Sequence, residues 1–263
     1  MSVRVIEGSV VRPASSATHL DVFPPVLVAA FGARWFEDGC LSIHFRRGAG
    51  DGEPVRASII ADDGGTAAAT LATTDGVVLA EGTASVGLHD LRTALSGITI
   101  THDTTGLEIL GALEKGDVIG PTVTHCASRR QSERVLSGQV ASPIEWYHGP
   151  SPWGPSVAAP STMMQMFTDV AHKALFPRIA PSVGLWGGME LRYHGDPLVC
   201  DTDYLVQGEV LAVTREDATE HLWYELTARD GWGELVASAR VLTVFSADAD
   251  ERPDLPLPAS AHV

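Results

Sequence analysis

The chain has 263 residues, 44% of them hydrophobic and 19% charged, which is enough to bury a full core and excludes a disordered segment or a disulfide-stapled miniprotein. Its 18 Lys and Arg against 33 Asp and Glu give a formal charge of -15, a field that repels phosphate backbones and argues against a nucleic-acid partner. Lys115 and Lys173 are the only lysines, so there is no polybasic membrane anchor; Cys40, Cys126 and Cys200 are widely spaced and odd in number, which supports neither a disulfide framework nor a structural zinc site. No apolar signal core opens the sequence and no run of apolar residues is long enough to span a bilayer, so a cytoplasmic protein is expected, with no membrane partner, no metal and no cofactor.

In chain order, Phe23-Pro24-Pro25 leads into a helix-like apolar stretch from Val26 to Phe36. Strand candidates follow at Cys40 to Arg46, Pro54 to Ala61, Thr66 to Thr73 and Val77 to Val86, with tight turns at Asp62-Asp63-Gly64-Gly65 and Asp75-Gly76. The second half repeats this order more clearly. Ser161 is placed to cap a helix over Ser161 to Phe176, whose apolar face carries Met163, Met166, Phe167, Val170, Ala174 and Leu175, and Pro177 ends it. Strands are then expected near Leu185 to Tyr193, Tyr204 to Val213, His221 to Ala228 and Glu234 to Phe245. The last two show the period-2 alternation of a half-buried strand.

Each half thus reads as a leading strand, a loop, one long helix and an antiparallel meander, and the two helix starts are about 135 residues apart, which points to an internal duplication. No GxGxxG follows a strand, which disfavours a doubly wound nucleotide fold. The expected class is α+β. A helix wrapped by a meander and present twice resembles the double (tandem) hotdog: residues 1–105 as a degenerate N-terminal half, 115–247 as the half with the site, and 248–263 as a flexible tail.

The loop before the second helix, Pro143-Ile144-Glu145-Trp146-Tyr147-His148-Gly149-Pro150, and the stretch Gly154-Pro155-Ser156-Val157-Ala158-Ala159-Pro160 resemble the MaoC-like enoyl-CoA hydratase/dehydratase family, as does the segment from Tyr193 to Gly208. The resemblance implies hydration or dehydration of an acyl thioester carried on coenzyme A or on an acyl carrier protein. His148 stands at the family's histidine position. The family's Asp, five residues earlier, is replaced by Pro143, so Glu145 is the acid nearest in sequence. A histidine suits proton transfer because both of its protonation states are accessible near neutral pH.

The resemblance also implies an oxyanion donor at the helix start. Pro160 has no N–H, so Ser161 or Thr162 would supply it. Trp146 and Trp153 would wall an acyl pocket, Gly154 would enter the substrate loop, and Arg129, Arg130 and Arg134 would form a basic rim for the carrier. Thr162, Gln165, Thr168, Asp169 and His172 share one helix side, which is either a solvent face or a face toward the other half. Asp169 is the carboxylate that hydrolysis on this scaffold would use.

Plainer readings accompany these. His148 and Glu145 also fit ordinary loop positions, and the two tryptophans also fit loop anchors. His194 is a further candidate, and Thr18-His19-Leu20-Asp21 reads as structural. Thioester hydrolysis, a cyclase-like template and a non-catalytic binding module remain the alternatives, in a monomer or a homodimer.

Overall fold

The computed structural model describes residues 3–13, 16–47, 52–87, 93–141 and 143–247. The expected tail over 248–263 lies outside them. Ten strands form one sheet in the order β1-β3-β4-β5-β2-β7-β10-β9-β8-β6. The first half supplies β1 (Arg4–Glu7), β2 (Gly39–Phe45), β3 (Val55–Ala61), β4 (Thr66–Thr73) and β5 (Val78–Val86). The second supplies β6 (Val118–Cys126), β7 (Val183–Tyr193), β8 (Thr202–Glu216), β9 (Thr219–Arg229) and β10 (Leu235–Ser246). Read outward from the centre, 2-5-4-3-1 on one side is matched by 7-10-9-8-6 on the other, so the duplication legible in the sequence is a repeat of topology.

The halves join where β2 pairs antiparallel with β7, placing Leu41 opposite Leu191 and Ile43 opposite Met189. β2 is buried at every position, whereas β3 shows the alternation of a strand with one wet face. The cause is the segment after β5. Leu95 lies over the join, its N–H bonded to the Ser42 hydroxyl at 3.0 Å, and a Cβ on Gly188 would meet the Leu95 side chain at 2.9 Å. The connector is then pinned at Glu220, whose carboxylate accepts the backbone N–H groups of Glu108, Ile109 and Leu110.

The helices are unequal. α1 (Pro24–Phe31) stops at Gly32, which takes φ 72° and returns its N–H to Val28. The chain turns helical again only for α2 (Trp35–Asp38). The continuous helix expected from Val26 to Phe36 is therefore broken, because the left-handed backbone that glycine accepts cannot continue a right-handed helix. After β6 comes α3 (Ser128–Leu136), a helix outside the elements expected from sequence. α4 (Pro160–Leu175) buries Met163, Met164, Met166, Phe167, Val170, Ala171 and Leu175. Each large side chain there contributes about 1.5–3 kcal/mol of burial.

Candidate functional site at the start of the long helix

Proline opens α4, and Ala159, which precedes it, has no side chain to cap the free N–H groups. Other elements supply the acceptors. Gln131 of α3 accepts the Ala159 N–H at 2.7 Å while its amide donates to the carbonyls of Tyr147 (2.7 Å) and Val157 (2.8 Å), fixing the approach loop on both sides. The Ser161 N–H is bonded at 2.8 Å by the carboxylate of Asp21, from the turn Ser16–Val22 of the first half. The cap of the second half's helix thus comes from the other half. Ser161 is a residue of the first helical turn and not the cap expected from sequence.

Asp21 is 0% exposed. Burial raises its pKa from 3.8 to about 6, against the opposing pull of its bonds to Ser161 and of the Arg134 charge. Among the described residues its second oxygen, Oδ2, is buried without a hydrogen-bond partner, as are the hydroxyls of Tyr147 and Tyr193. Both phenols feel the Asp21 charge, and burial pushes both upward from the usual tyrosine value. Tyr193 packs against Trp35 and Phe36, and Phe36 in turn meets Tyr147, Trp146 and Trp153 with ring centroids 6.0 to 6.3 Å apart.

On the other side of the same helical turn, Arg134 donates to the Ser161 hydroxyl (2.7 Å) and to Thr162 Oγ1 (2.9 Å). Arg134 and Thr162 also line a cavity of about 60 Å³ bounded by the end of β6, by α3 and by Gln165, Met166 and Asp169 of α4. Thr162, Gln165 and Asp169 on the polar side of α4 therefore face β6 and α3 of their own half, while His172 is exposed and stacks on Phe176.

The residues singled out from the sequence separate into groups. Ser161, Thr162 and Asp169 come together at this turn and its cavity. Glu145 and His148 are exposed, and among the described residues no hydrogen bond joins their side chains; the link between them is from the His148 N–H to the Glu145 carbonyl at 3.3 Å. Trp146 and Trp153 are half-buried in the aromatic stack, and the Trp153 indole donates to Glu37 at 2.9 Å. Gly154 is exposed at φ 96°, closing a tight turn with Ser151. Neither Ser161 nor Thr162 offers a free backbone donor, since their N–H groups go to Asp21 and to the Ala159 carbonyl. Arg134 and Thr162 are among the polar residues that line the cavity, beside Arg130, Gln131 and Gln165. Of the arginine rim, Arg130 lines the cavity while Arg129 pairs with Glu133 on the surface. The His194 ring bonds Ser238 at 2.8 Å at the end of β7.

Asp21, read from sequence as structural, is the carboxylate at the helix start. The signal for it was an acid within the apolar run Leu20-Asp21-Val22-Phe23, a position where an unneeded charge is costly.

No family model matches the sequence, and no curated protein matches it. Solved structures do. A MaoC domain protein described as a dehydratase, from Chloroflexus aurantiacus J-10-fl, superposes with a TM-score of 0.57 at 9% identity over 95% of this chain and 96% of that one. A Mycobacterium tuberculosis protein with a double hotdog fold gives 0.53 at 12% identity over 89% and 82%, and a MaoC-like dehydratase gives 0.50 at 13% over 88% and 84%. The fold is the double hotdog. The two hotdogs are joined in one sheet, an architecture similar to that of the MaoC domain protein from Chloroflexus aurantiacus.

Proposed function

We propose that the protein acts on acyl thioesters by hydration or dehydration, with the thioester held against the first turn of α4. The observation that supports this is the convergence of two features on one turn: a cavity with the Arg134 guanidinium and the Thr162 hydroxyl at its wall, and behind it a carboxyl group from the other half. Removing a proton beside a thioester carbonyl pushes charge onto its oxygen, and fixed cationic and hydroxyl donors stabilise that charge most where water is excluded. The structural neighbours from Chloroflexus aurantiacus and of MaoC-like type are described as dehydratases, which agrees with this reading. Arg130 at the cavity wall suits a phosphate of the carrier.

Hydrolysis is the second reading. It is favoured by Asp169, which lines the cavity one helical turn from Gln165 and could activate a water there. Incubating the protein with enoyl-, 3-hydroxyacyl- and saturated acyl-CoA esters, followed by mass spectrometry, separates the two. Gain or loss of water supports the first reading, release of free coenzyme A supports the second, and an unchanged panel refutes both. Asp169→Ala abolishes release in the second case and spares water exchange in the first.

A further inference from the structure

Spacing along the chain pairs none of the three cysteines, but the fold brings two of them together. Cys126 ends β6 and Cys200 precedes β8; their sulfurs are 3.2 Å apart, with the Cys126 thiol donating to the Cys200 sulfur, and both residues are 1% exposed. The backbone is tied here as well. The Asp201 N–H bonds the Cys126 carbonyl at 2.6 Å, and the Cys200 N–H bonds the Ser156 carbonyl at 2.8 Å. The Asp201 carboxylate accepts the N–H and the hydroxyl of Ser128 at the start of α3. Two thiols held in contact by such a frame are placed for a disulfide, whose S–S bond of about 2.05 Å requires the sulfurs to close by only about 1 Å. Cys126 also lines the cavity of about 60 Å³, which is wide enough for hydrogen peroxide, a molecule little larger than water.

We propose that Cys126 and Cys200 form a reversible disulfide, made by hydrogen peroxide and undone by thiols, that fastens the wall of the cavity. The inference is independent of the acyl-thioester reading. Cys200 is the attacking sulfur, because hydrogen bonds from Cys126 and Ser156 favour its thiolate. It attacks one oxygen of the peroxide and the O–O bond breaks. Hydroxide leaves and takes up a proton to become water, and Cys200 becomes a sulfenic acid. The Cys126 sulfur then attacks the Cys200 sulfur, the S–O bond breaks, and the oxygen leaves with the Cys126 proton as a second water. Two electrons pass from the sulfurs to the peroxide. The new bond joins positions 74 apart and so restricts the unfolded chain. It also fixes the start of α3, whose Arg130, Gln131 and Arg134 wall the cavity.

The test treats the full chain, reduced and freed of reductant, with a small excess of hydrogen peroxide, then denatures and alkylates it. Peptide mapping should show Cys126 and Cys200 joined in one cross-link. Cys40, on β2 at the centre of the sheet while β6 is its edge, should still be alkylated. Dithiothreitol should restore alkylation at both positions, and the oxidised form should melt about 5 °C or more above the reduced one. In Cys126→Ala the reaction should stop at a Cys200 sulfenic acid that dimedone traps, whereas Cys200→Ala should leave Cys126 unlabelled. Peroxide that leaves both cysteines alkylatable in the wild type overturns the disulfide, and so does a cross-link from either of them to Cys40. A cross-link that dithiothreitol does not open overturns its reversibility. An oxidised form that melts no higher overturns the fastening of the wall, and a dimedone adduct on Cys126 in place of Cys200 overturns the order of attack. The wild-type map decides the main point whether or not either variant folds.

Discussion

Asp21 and Ser161 are 140 positions apart in the chain and 2.8 Å apart in the fold, carboxylate oxygen to backbone nitrogen. The bond satisfies the helix start, yet the carboxylate is held where its charge is poorly solvated. Its folded pKa of about 6 lies above 3.8, so the folded state binds the proton more tightly than the unfolded state does. This contribution to stability is present below pH 3.8 and is lost as pH rises through 6. Asp21→Asn should therefore stabilise the protein at pH 7.5 by up to about 3 kcal/mol and have little effect at pH 4. Urea melts at the two pH values check this, and a mutant less stable than wild type at pH 7.5 contradicts it.

Two histidines act in the opposite direction. Burial lowers His19 and His44 from 6.5 to about 4, so each is neutral in the folded state and protonated more readily when unfolded. Their contribution is present above pH 6.5 and is lost as pH falls through 4, up to about 3 kcal/mol each. Two such groups outweigh the one carboxyl, so the melting temperature should fall between pH 6.5 and pH 4.5. His44→Gln should flatten that fall, and a mutant with the wild-type slope would show that His44 is not a source of it.

The clamp at Glu220 is a separate stability element. Replacing it with alanine strands the N–H groups of Glu108, Ile109 and Leu110, at a cost of about 3 kcal/mol or more, whereas glutamine keeps one acceptor and costs less. Hydrogen exchange should show residues 108–110 losing protection in Glu220→Ala ahead of global unfolding.

The sulfurs of Cys126 and Cys200 lie 3.2 Å apart, both buried. Hydrogen bonds from Cys126 and from Ser156 lower the pKa of Cys200, while Cys126 is pushed upward. Thiolate is the reactive form, so slow alkylation of the native protein should mark Cys200 before Cys126. Ser156→Ala should slow it. Peptide mapping at increasing times reads the order, and Cys126 leading would refute the assignment.

The repeat was legible because half-buried strands write their alternation into the sequence: β4 (Thr66–Thr73) has the expected ends, and β9 and β10 differ by a residue or two at each end. β6 was not placed. Its residues 118–126 mix Gly, Pro, Thr and Val on an edge strand where Val118 and Val123 are exposed, and an edge needs less apolar patterning. The break at Gly32 was missed because apolar residues continue on both sides of it. At the site, Thr162 and Asp169 were visible by their place on a helix. Asp21 was not, because the contact that defines it joins the halves, and periodicity along one segment carries no information about a partner 140 positions away.

The antiparallel β2–β7 seam has a consequence for what natural selection can do with this protein. In a symmetric pair of identical hotdog chains every substitution is made twice, so a shortened helix or a donated carboxylate on one side must be tolerated on the other. Covalent fusion removes that constraint. One unit can reduce its helix to the two turns of α1 and lend Asp21 across the seam, while its twin keeps a helix of 16 residues and receives it. The asymmetry of the site is thus open to inheritance in a form that no homodimer could encode.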